Sequence, residues 1–507
     1  MTKQTESRSK EGLPMLPSWF PGPLAFLAWA ALALALIKPM LPLNDQATGR
    51  HLTMGKVILA HKGIPQHDTL NYLFPHQDYL NFEWLFDLGT RILFEIFGLG
   101  TLVFLTFVLF ALTLCIMQRY LLENGVSLPV ALFGILLLLG ANFVHLLTRP
   151  VIVTYFFLAL VILLWTRVLL QKKGRSPWWL PFVFFLWANI HPGFSSGLLF
   201  MGLALIGAMV DGRRESLHHF KFPCLLLALC AFVTLLNPYG WKLHALILHQ
   251  VLNSKSLGQV QEFLPPDFLH PNGAVFALLV VLISVLVLGF RPQQKWCLRE
   301  VMPAVVLLFF AWKAQRHILL FLPVALLPFC KMWDTWLLSF LGNSWKDRRD
   351  RYTALALHAA KEKTWVILGI LIIGFLYLLA PSSTLRIGAH SFTPNAEDFV
   401  RTHLDLFRRP LTSSVQAGNL LFYFHPQLKV SFDDRVDFYQ DDISFSYIKA
   451  IQAEEGWRDY MARYAFDSAL LYPTDPLSQT LRHEPAWKEI YSDAGLCVFQ
   501  RKQEPSL

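Results

Sequence analysis

The chain predicts an α-helical polytopic membrane protein of about 11–12 transmembrane helices with a C-terminal soluble α/β domain. Three observations predict it. Apolar runs near the length that crosses about 30 Å of hydrocarbon recur along most of the sequence. Of its 507 residues, 54% are hydrophobic and only 16% charged, where a soluble domain carries about 25% charged residues. After about residue 385 the apolar runs stop and charges return.

The candidate spans lie near 23–41, 82–98, 101–121, 127–147, 151–170, 177–190, 193–210, 221–236, 273–290, 300–314, 317–336 and 364–380. The first run is long, and the chain returns to the membrane many times, so it reads as a signal anchor rather than a cleaved leader. The loops between spans are of two kinds. "QKKGR" at 171–175, "DGRR" at 211–214, "RPQQKWCLR" at 291–299 and the basic stretch 346–363 are rich in Lys and Arg. The positive-inside rule makes them cytoplasmic. "TRP" at 148–150, "NIHPG" at 189–193, "NPYG" at 237–240, "EFLPPDF" at 262–268 and "AQRH" at 314–317 alternate with them and collect on the outer face. A cytoplasmic N-terminus and an outer tail need an odd number of spans, so one of the twelve, between 82 and 147, lies along the interface or folds with its neighbour.

The chain thus divides into a cytoplasmic tail at 1–22, a transmembrane domain at 23–384 with an outer loop at 42–82, and an extracytoplasmic α/β domain at 385–507. In the last, "LKVSF" and "SALLY" read as strands and 443–464 as helix.

The net charge of +9 sits in short interhelical loops. It therefore argues for membrane sidedness and against nucleic acid. The six cysteines include no CxxC pair, which argues against structural zinc and a disulfide framework.

Candidate chemistry concentrates in the first outer loop. It holds Asp45, Arg50, His51, His61, His67, Asp68, His76, Asp78, Glu83 and Asp87. "GRHLTMGKVILAHKG" mixes apolar and basic residues, as expected of a short amphipathic helix in the interface plane. Glu83 and Asp87 are four apart at the mouth of an apolar helix and share a face. A carboxylate at that depth is costly and is by default functional or paired, with Arg91 or with another helix. No HExxH or H-x-H pair occurs. No cofactor is called for, although Asp45 and Glu83 together with a lipid phosphate offer oxygens to a divalent cation. Arg149, His191, Arg316 and His317 stand at helix ends on the outer side. Arginine there either snorkels to headgroups or grips a phosphate through its forked donors. Lys38, at the end of the first span, has the same two readings. In the tail, "KVSFDDRVDFY" sets Asp433, Asp434, Arg435 and Asp437 just past a strand, where aspartates either hold a metal or a sugar or, as the plainer reading, cap a turn and pair with the arginine.

Several stretches together resemble bacterial polytopic membrane proteins related to the C-type (GT-C) glycosyltransferases. Gly49, Arg50, His51, Leu52, Gly55, Gly63, Ile64, Pro65, Asp68, Tyr72, Asn81, Glu83, Trp84 and Leu85 fit the first-loop pattern of such relatives. "WANIHPGFSSGLL" fits their "W.N.HGGF..G" stretch, with Pro192 where glycine is usual, and "LLNPYG", "EFLPPDF" and "FDDRVDFY" also fit. The resemblance covers most of the chain. It implies a GT-C-like fold, in the mannosyltransferase or aminoarabinose-transferase manner, with an outer catalytic pocket in a bacterial inner-membrane protein of the cell envelope. It also implies a polyprenyl-phosphate sugar donor and a hexosyl- or pentosyltransferase activity. An aspartate of the first outer loop is the base in such relatives. Here that role falls to Asp45, Asp68 or Glu83, with Arg50, His51, Arg149, His191, Arg316 and His317 as substrate and lipid-phosphate ligands. The expected partners are that donor, a glycan, lipid or protein acceptor, and membrane lipids. Two readings from other classes compete: a transporter or flippase of a lipid-linked substrate, and a non-enzymatic envelope scaffold. A transporter is expected to carry broken helices at mid-membrane and internal repeats, whereas the polar groups here sit at helix ends and no repeat occurs.

Overall fold

The computed structural model describes residues 43, 45–142, 146–170, 177–212, 218–253 and 261–269, a few residues at 274–281, then 297–358, 362–379, 385–388, 391–435, 438–439 and 441–502. The expected spans at 23–41 and most of 273–290, and with them Lys38 and Asp437, lie outside the described residues.

Two short helices precede the long ones: α1 (Gln46–His61) and α2 (Trp84–Phe97). Then come α3 (Leu99–Glu123), α4 (Leu128–Asn142), α5 (Val151–Leu169), α6 (Trp179–Ala188), α7 (Phe194–Asp211), α8 (His218–Val233), α9 (Trp241–Asn253), α10 (Leu298–Lys313), α11 (Ile318–His358) and α12 (Glu362–Leu379). Gly342, at φ 70°, breaks α11. Among the described residues four helical stretches are long and apolar enough to cross a membrane: Leu99–Glu123, Val151–Leu169, Phe194–Asp211 and Gln315–Gly342. Three shorter apolar helices accompany them, at Leu128–Ala141, Trp179–Ala188 and His218–Val233. Their inward residues form one core that includes Phe107, Trp165, Phe184, Trp187 and Phe321.

The apolar run at 82–98 folds as α2, of 14 residues. At 1.5 Å per residue it reaches only about 21 Å, short of the hydrocarbon thickness. It ends at Gly98, whose φ of 77° turns the chain directly into α3.

The expectation for α1 needs correction. It is not an interfacial helix with one free face: eleven of its 16 residues are buried. Two glycines explain this. A Cβ on Gly49 would strike the carbonyl of Gly418, and one on Gly55 would strike the carbonyl of Asp87. Backbones therefore close on α1 from two sides, α2 on one and the C-terminal region on the other.

The C-terminal region is α/β. It contains α13 (Pro394–Thr402), β1 (Pro410–Thr412), α14 (Ser414–Phe424), α15 (Asp441–Ile451), α16 (Trp457–Arg463), β2 (Ser468–Leu471), α17 (Pro476–His483), β3 (Trp487–Ser492) and β4 (Cys497–Arg501). The sheet order is β1-β2-β4-β3. β1 and β2 are parallel with Leu411 opposite Ala469, and the other pairs are antiparallel. "SALLY" supplies β2 as expected. "LKVSF" adds no strand to the sheet; its Val430 bridges Asn71 of the first loop instead. The run 443–464 is two helices, Asp441–Ile451 and Trp457–Arg463, joined by a turn in which Ala453 at φ 53° and Gly456 at φ 91° leave the right-handed region. Met54, Val57, Ile58, Leu70 and Tyr79 of the first loop share one hydrophobic core with the C-terminal sheet and helices. Loop and C-terminal region therefore form one packed body, which fixes the side chains described next.

Candidate functional site

A cavity of about 240 Å³ lies where α1, the start of α2, the turn before α5, the α6–α7 turn, the stretch before α11 and the C-terminal region converge. Four arginines line it. Arg435 is locked in pairs with Asp68 and Asp433, and the other three are each held differently.

Arg50 projects from α1, and its guanidinium forks onto Asp434 with Nε to Oδ1 at 2.7 Å and Nη2 to Oδ2 at 3.1 Å. Such bidentate charge-assisted pairs are the strong ones. Glu83 stands 3.8 Å from the same Nη2. Nη1 is buried without a protein partner. Burial works against the Arg50 cation, but Asp434 and Glu83 win and raise its pKa well above the ordinary value. Reciprocally, burial disfavours charge on Asp434, and the Arg50 guanidinium overrides it to hold the carboxyl well below the usual carboxylate range.

Arg149 sits in the turn that Pro150 closes before α5. Its Nη2 donates to Asp45 Oδ1 and its Nη1 to Glu262 Oε1 at 3.0 Å. Its Nε, like Asp45 Oδ2, is buried with no partner. Arg316 differs from both. Its guanidinium lies 4.2 Å over the Phe263 ring. Among the described residues it forms no ion pair, whereas Arg50 and Arg149 each face two carboxylates.

His191 closes the wall between α6 and α7. Its Nδ1 accepts the Gly193 N–H at 3.0 Å and the Thr154 hydroxyl at 2.8 Å, while that hydroxyl accepts the Trp187 indole N–H at 2.8 Å. An accepting Nδ1 leaves the proton on Nε2. Burial first, then Arg316 and His51, pushes this imidazole down to about 3. His191 is thus a neutral donor at neutral pH.

Seven lining residues, among them Tyr155, His191, Phe263 and Arg316, also border a second, more apolar cavity of about 350 Å³. That cavity runs along Phe310, Leu320 and His317. His317 borders it and not the first; its Nδ1 donates to the Phe310 carbonyl at 3.2 Å.

Of the three candidate carboxylates, Glu83 lines the first cavity. Asp45 does not line it, but it pairs with the lining residue Arg149 and directly precedes the lining residues Gln46 and Ala47. Asp68 lies elsewhere: it accepts Arg435 Nη1 at 2.5 Å and the Asn71 N–H at 2.7 Å, fully buried. Arg435 also forks onto Asp433, so the local pairing read in "DDR" is present. Asp434 escapes that knot and reaches Arg50, 384 positions away. Asp434, Glu262, Tyr155 and Gln250 are lining residues that the sequence reading did not place at the site. The only signal for Asp434 was a second aspartate in a motif that needed one.

Arg91 pairs with Glu95, not with Glu83 or Asp87. Among the described residues no three His, Cys, Asp or Glu converge to hold a metal ion. Asp45 and Glu83 face different guanidinium groups, an arrangement that does not fit a shared cation.

No protein-family profile matches the chain, and no curated protein is similar to it at a significant level. Among solved structures, the archaeal oligosaccharyltransferase AglB from Archaeoglobus fulgidus, in complex with an inhibitory peptide and a dolichol-phosphate, superposes with a TM-score of 0.53 at 11% identity. The match covers 94% of this chain and 74% of that one. ArnT from Cupriavidus metallidurans, bound to undecaprenyl phosphate, gives a TM-score of 0.44 at 14% identity, over 93% of this chain and 97% of that one. The first of these carries the conclusion: the chain has the fold of the oligosaccharyltransferase, a GT-C-related membrane fold.

Proposed function

We propose that the protein is a membrane glycosyltransferase. It takes a hexosyl or pentosyl group from a polyprenyl-phosphate donor and passes it to a lipid, glycan or protein acceptor. The site faces the outside of a bacterial inner membrane, with the C-terminal region on that side. The observation that carries this reading is the position of Arg316. It is the arginine without an ion pair among the described lining residues, and it stands where a polar cavity meets an apolar one. A ligand that is anionic at one point and greasy beyond it meets both halves. The dolichol-phosphate in the oligosaccharyltransferase complex has that chemistry.

The reaction follows from the residues. The acceptor hydroxyl gives its proton to a carboxylate as its oxygen bonds to the anomeric carbon. The bond from that carbon to the phosphate oxygen breaks, and the electron pair leaves with the lipid phosphate. Arg316, the open Nε of Arg149 and the Nε2–H of His191 meet that growing charge. Fixed donors in a water-poor site are effective here because they need no reorganisation. Asp45 is the base we favour, because its Oδ2 is a buried acceptor that lacks a protein donor. Glu83 is the second reading, because it lines the cavity directly. Asp68 has both oxygens engaged and serves the fold.

The test is transfer from a polyprenyl-phosphate sugar in membranes carrying Asp45→Asn or Glu83→Gln. General-base help is worth about 10²–10⁴ in rate. Asp45→Asn is expected to lose about that much, with insertion and donor binding kept. Loss in Glu83→Gln alone moves the role to Glu83. Parental rates in both variants refute the transferase mechanism and favour the scaffold or flippase.

A further inference from the structure

Asp87 is a fully buried carboxylate that the mechanism above does not use. It sits on the first turn of α2 and does not line the cavity. A buried carboxylate left unpaired is strongly destabilising, so its partners show what it is for. Its Oδ2 accepts the Asn81 amide at 2.8 Å, and its Oδ1 lies 2.6 Å from His51 Nδ1. A carboxylate can only accept there, so His51 carries its proton on Nδ1. His51 Nε2 is then the acceptor, and Arg50 Nη2, which can only donate, lies 3.3 Å from it. The Phe86 ring meets the His51 ring edge-on at 5.2 Å and holds its plane. Every hydrogen bond in the series Asn81, Asp87, His51, Arg50, Asp434 therefore has a fixed direction. Its members are buried in sequence positions 36 and 384 residues apart. The series uses Nη2 and Nε of Arg50 and leaves Nη1 as the open, buried donor.

We propose that Asp87 is a positioning residue that acts through His51 to set the Arg50 guanidinium, so that Nη1 is presented to an anionic oxygen of the bound phosphate ester. This rests on the proposed function for the ligand, but the hydrogen-bonded series itself does not.

The experiment has two arms on the full-length protein in lipid nanodiscs. The first is ¹⁵N NMR of labelled histidine, with the His51 signal assigned by its loss in His51→Asn. The parent is expected to show His51 protonated on Nδ1 with a hydrogen-bonded Nε2. Asp87→Asn is expected to move the proton to Nε2. Arg50→Gln is expected to keep it on Nδ1 and alter only the Nε2 shift. A His51 signal that Asp87→Asn leaves unchanged overturns the proposal, with no ligand involved. The second arm measures binding of polyprenyl phosphate. Asp87→Asn is expected to weaken it about tenfold, the scale of one hydrogen bond to a charged group, with the melting temperature kept. In an Arg50→Gln background the same change is expected to have no further effect, as two residues acting through one interaction are not additive. Equal weakening in both backgrounds overturns the positioning role. A parent that binds no polyprenyl phosphate refutes the proposed function, while the NMR arm still decides this one.

Discussion

At the scale of the residue, the site is defined by how many carboxylates each cation faces. Arg149 is clamped between Asp45 and Glu262, Arg50 between Asp434 and Glu83, and Arg316 lies against an aromatic face. His191 is the titrating group with the clearest pH consequence. Its folded-state pKa of about 3 lies below the ordinary 6.5. Above 6.5 both folded and unfolded chains hold it neutral. As pH falls from 6.5 towards 3 the unfolded chain takes the proton first, so stability is lost across that window. His191→Gln is therefore expected to flatten the fall in melting temperature on acidification from pH 6.5 to 4. A profile identical to the parent's contradicts the buried neutral histidine. Part of this scale was legible in the sequence. The Asp433–Arg435 pair is two residues apart and was read from "DDR" alone. Asp68 is a candidate base only through the family resemblance, and nothing local rules it out, because its partner Arg435 stands 367 positions away. Asp434 and Arg50 were likewise invisible as a pair, since no local pattern encodes a contact across most of the chain.

At the scale of the element, α1 is the axle. The residue pattern predicts one apolar face on a membrane surface, but Gly49 and Gly55 mark two faces, each closed by a backbone. Glycine spacing carries that information only when the opposing element is known. The tightest approach is on the far side of the same contact, where a Cβ on Gly418 would overlap the Gln46 carbonyl. Backbone cannot swing aside as a side chain can. Gly418→Ala is therefore expected to destabilise docking of α14 on α1 by about 1–3 kcal/mol, the usual penalty of overpacking. Limited proteolysis between the helical region and the C-terminal region reads this out. Gly63→Ala, at a position with open space around its Cβ, is the control. Equal protease resistance in the two variants contradicts the close crossing. The long apolar helices were the most legible elements, because hydrophobicity over some twenty residues is a strong signal. The break of 443–464 between Ile451 and Trp457 was less so, since its one glycine, Gly456, stands isolated in a helical pattern, where glycine is often tolerated.

At the scale of the whole molecule, the first loop and the C-terminal region share one core, so the side on which the C-terminal region lies is the side of the cavity. The proposed orientation of that side, outside the cytoplasm, rests on the basic stretch 346–363 and the single apolar run after it, read by the positive-inside rule. Glu455 is exposed in the C-terminal region. Glu455→Cys is expected to react with an impermeant maleimide in intact cells above the parent's background. Labelling only after permeabilisation would invert the orientation and remove the outer-face site with it.

The claim on which the rest depends is that this cavity consumes a polyprenyl-phosphate sugar. The direct measurement takes lipid-linked sugars extracted from cells that lack the protein, adds them to proteoliposomes of the purified chain with a membrane acceptor fraction, and follows free polyprenyl phosphate by mass spectrometry. The account predicts that polyprenyl phosphate accumulates with the parent, and about 10²–10⁴-fold more slowly with Asp45→Asn or, if Glu83 is the base, with Glu83→Gln. Folded parent protein that releases none from any donor in the extract would contradict it.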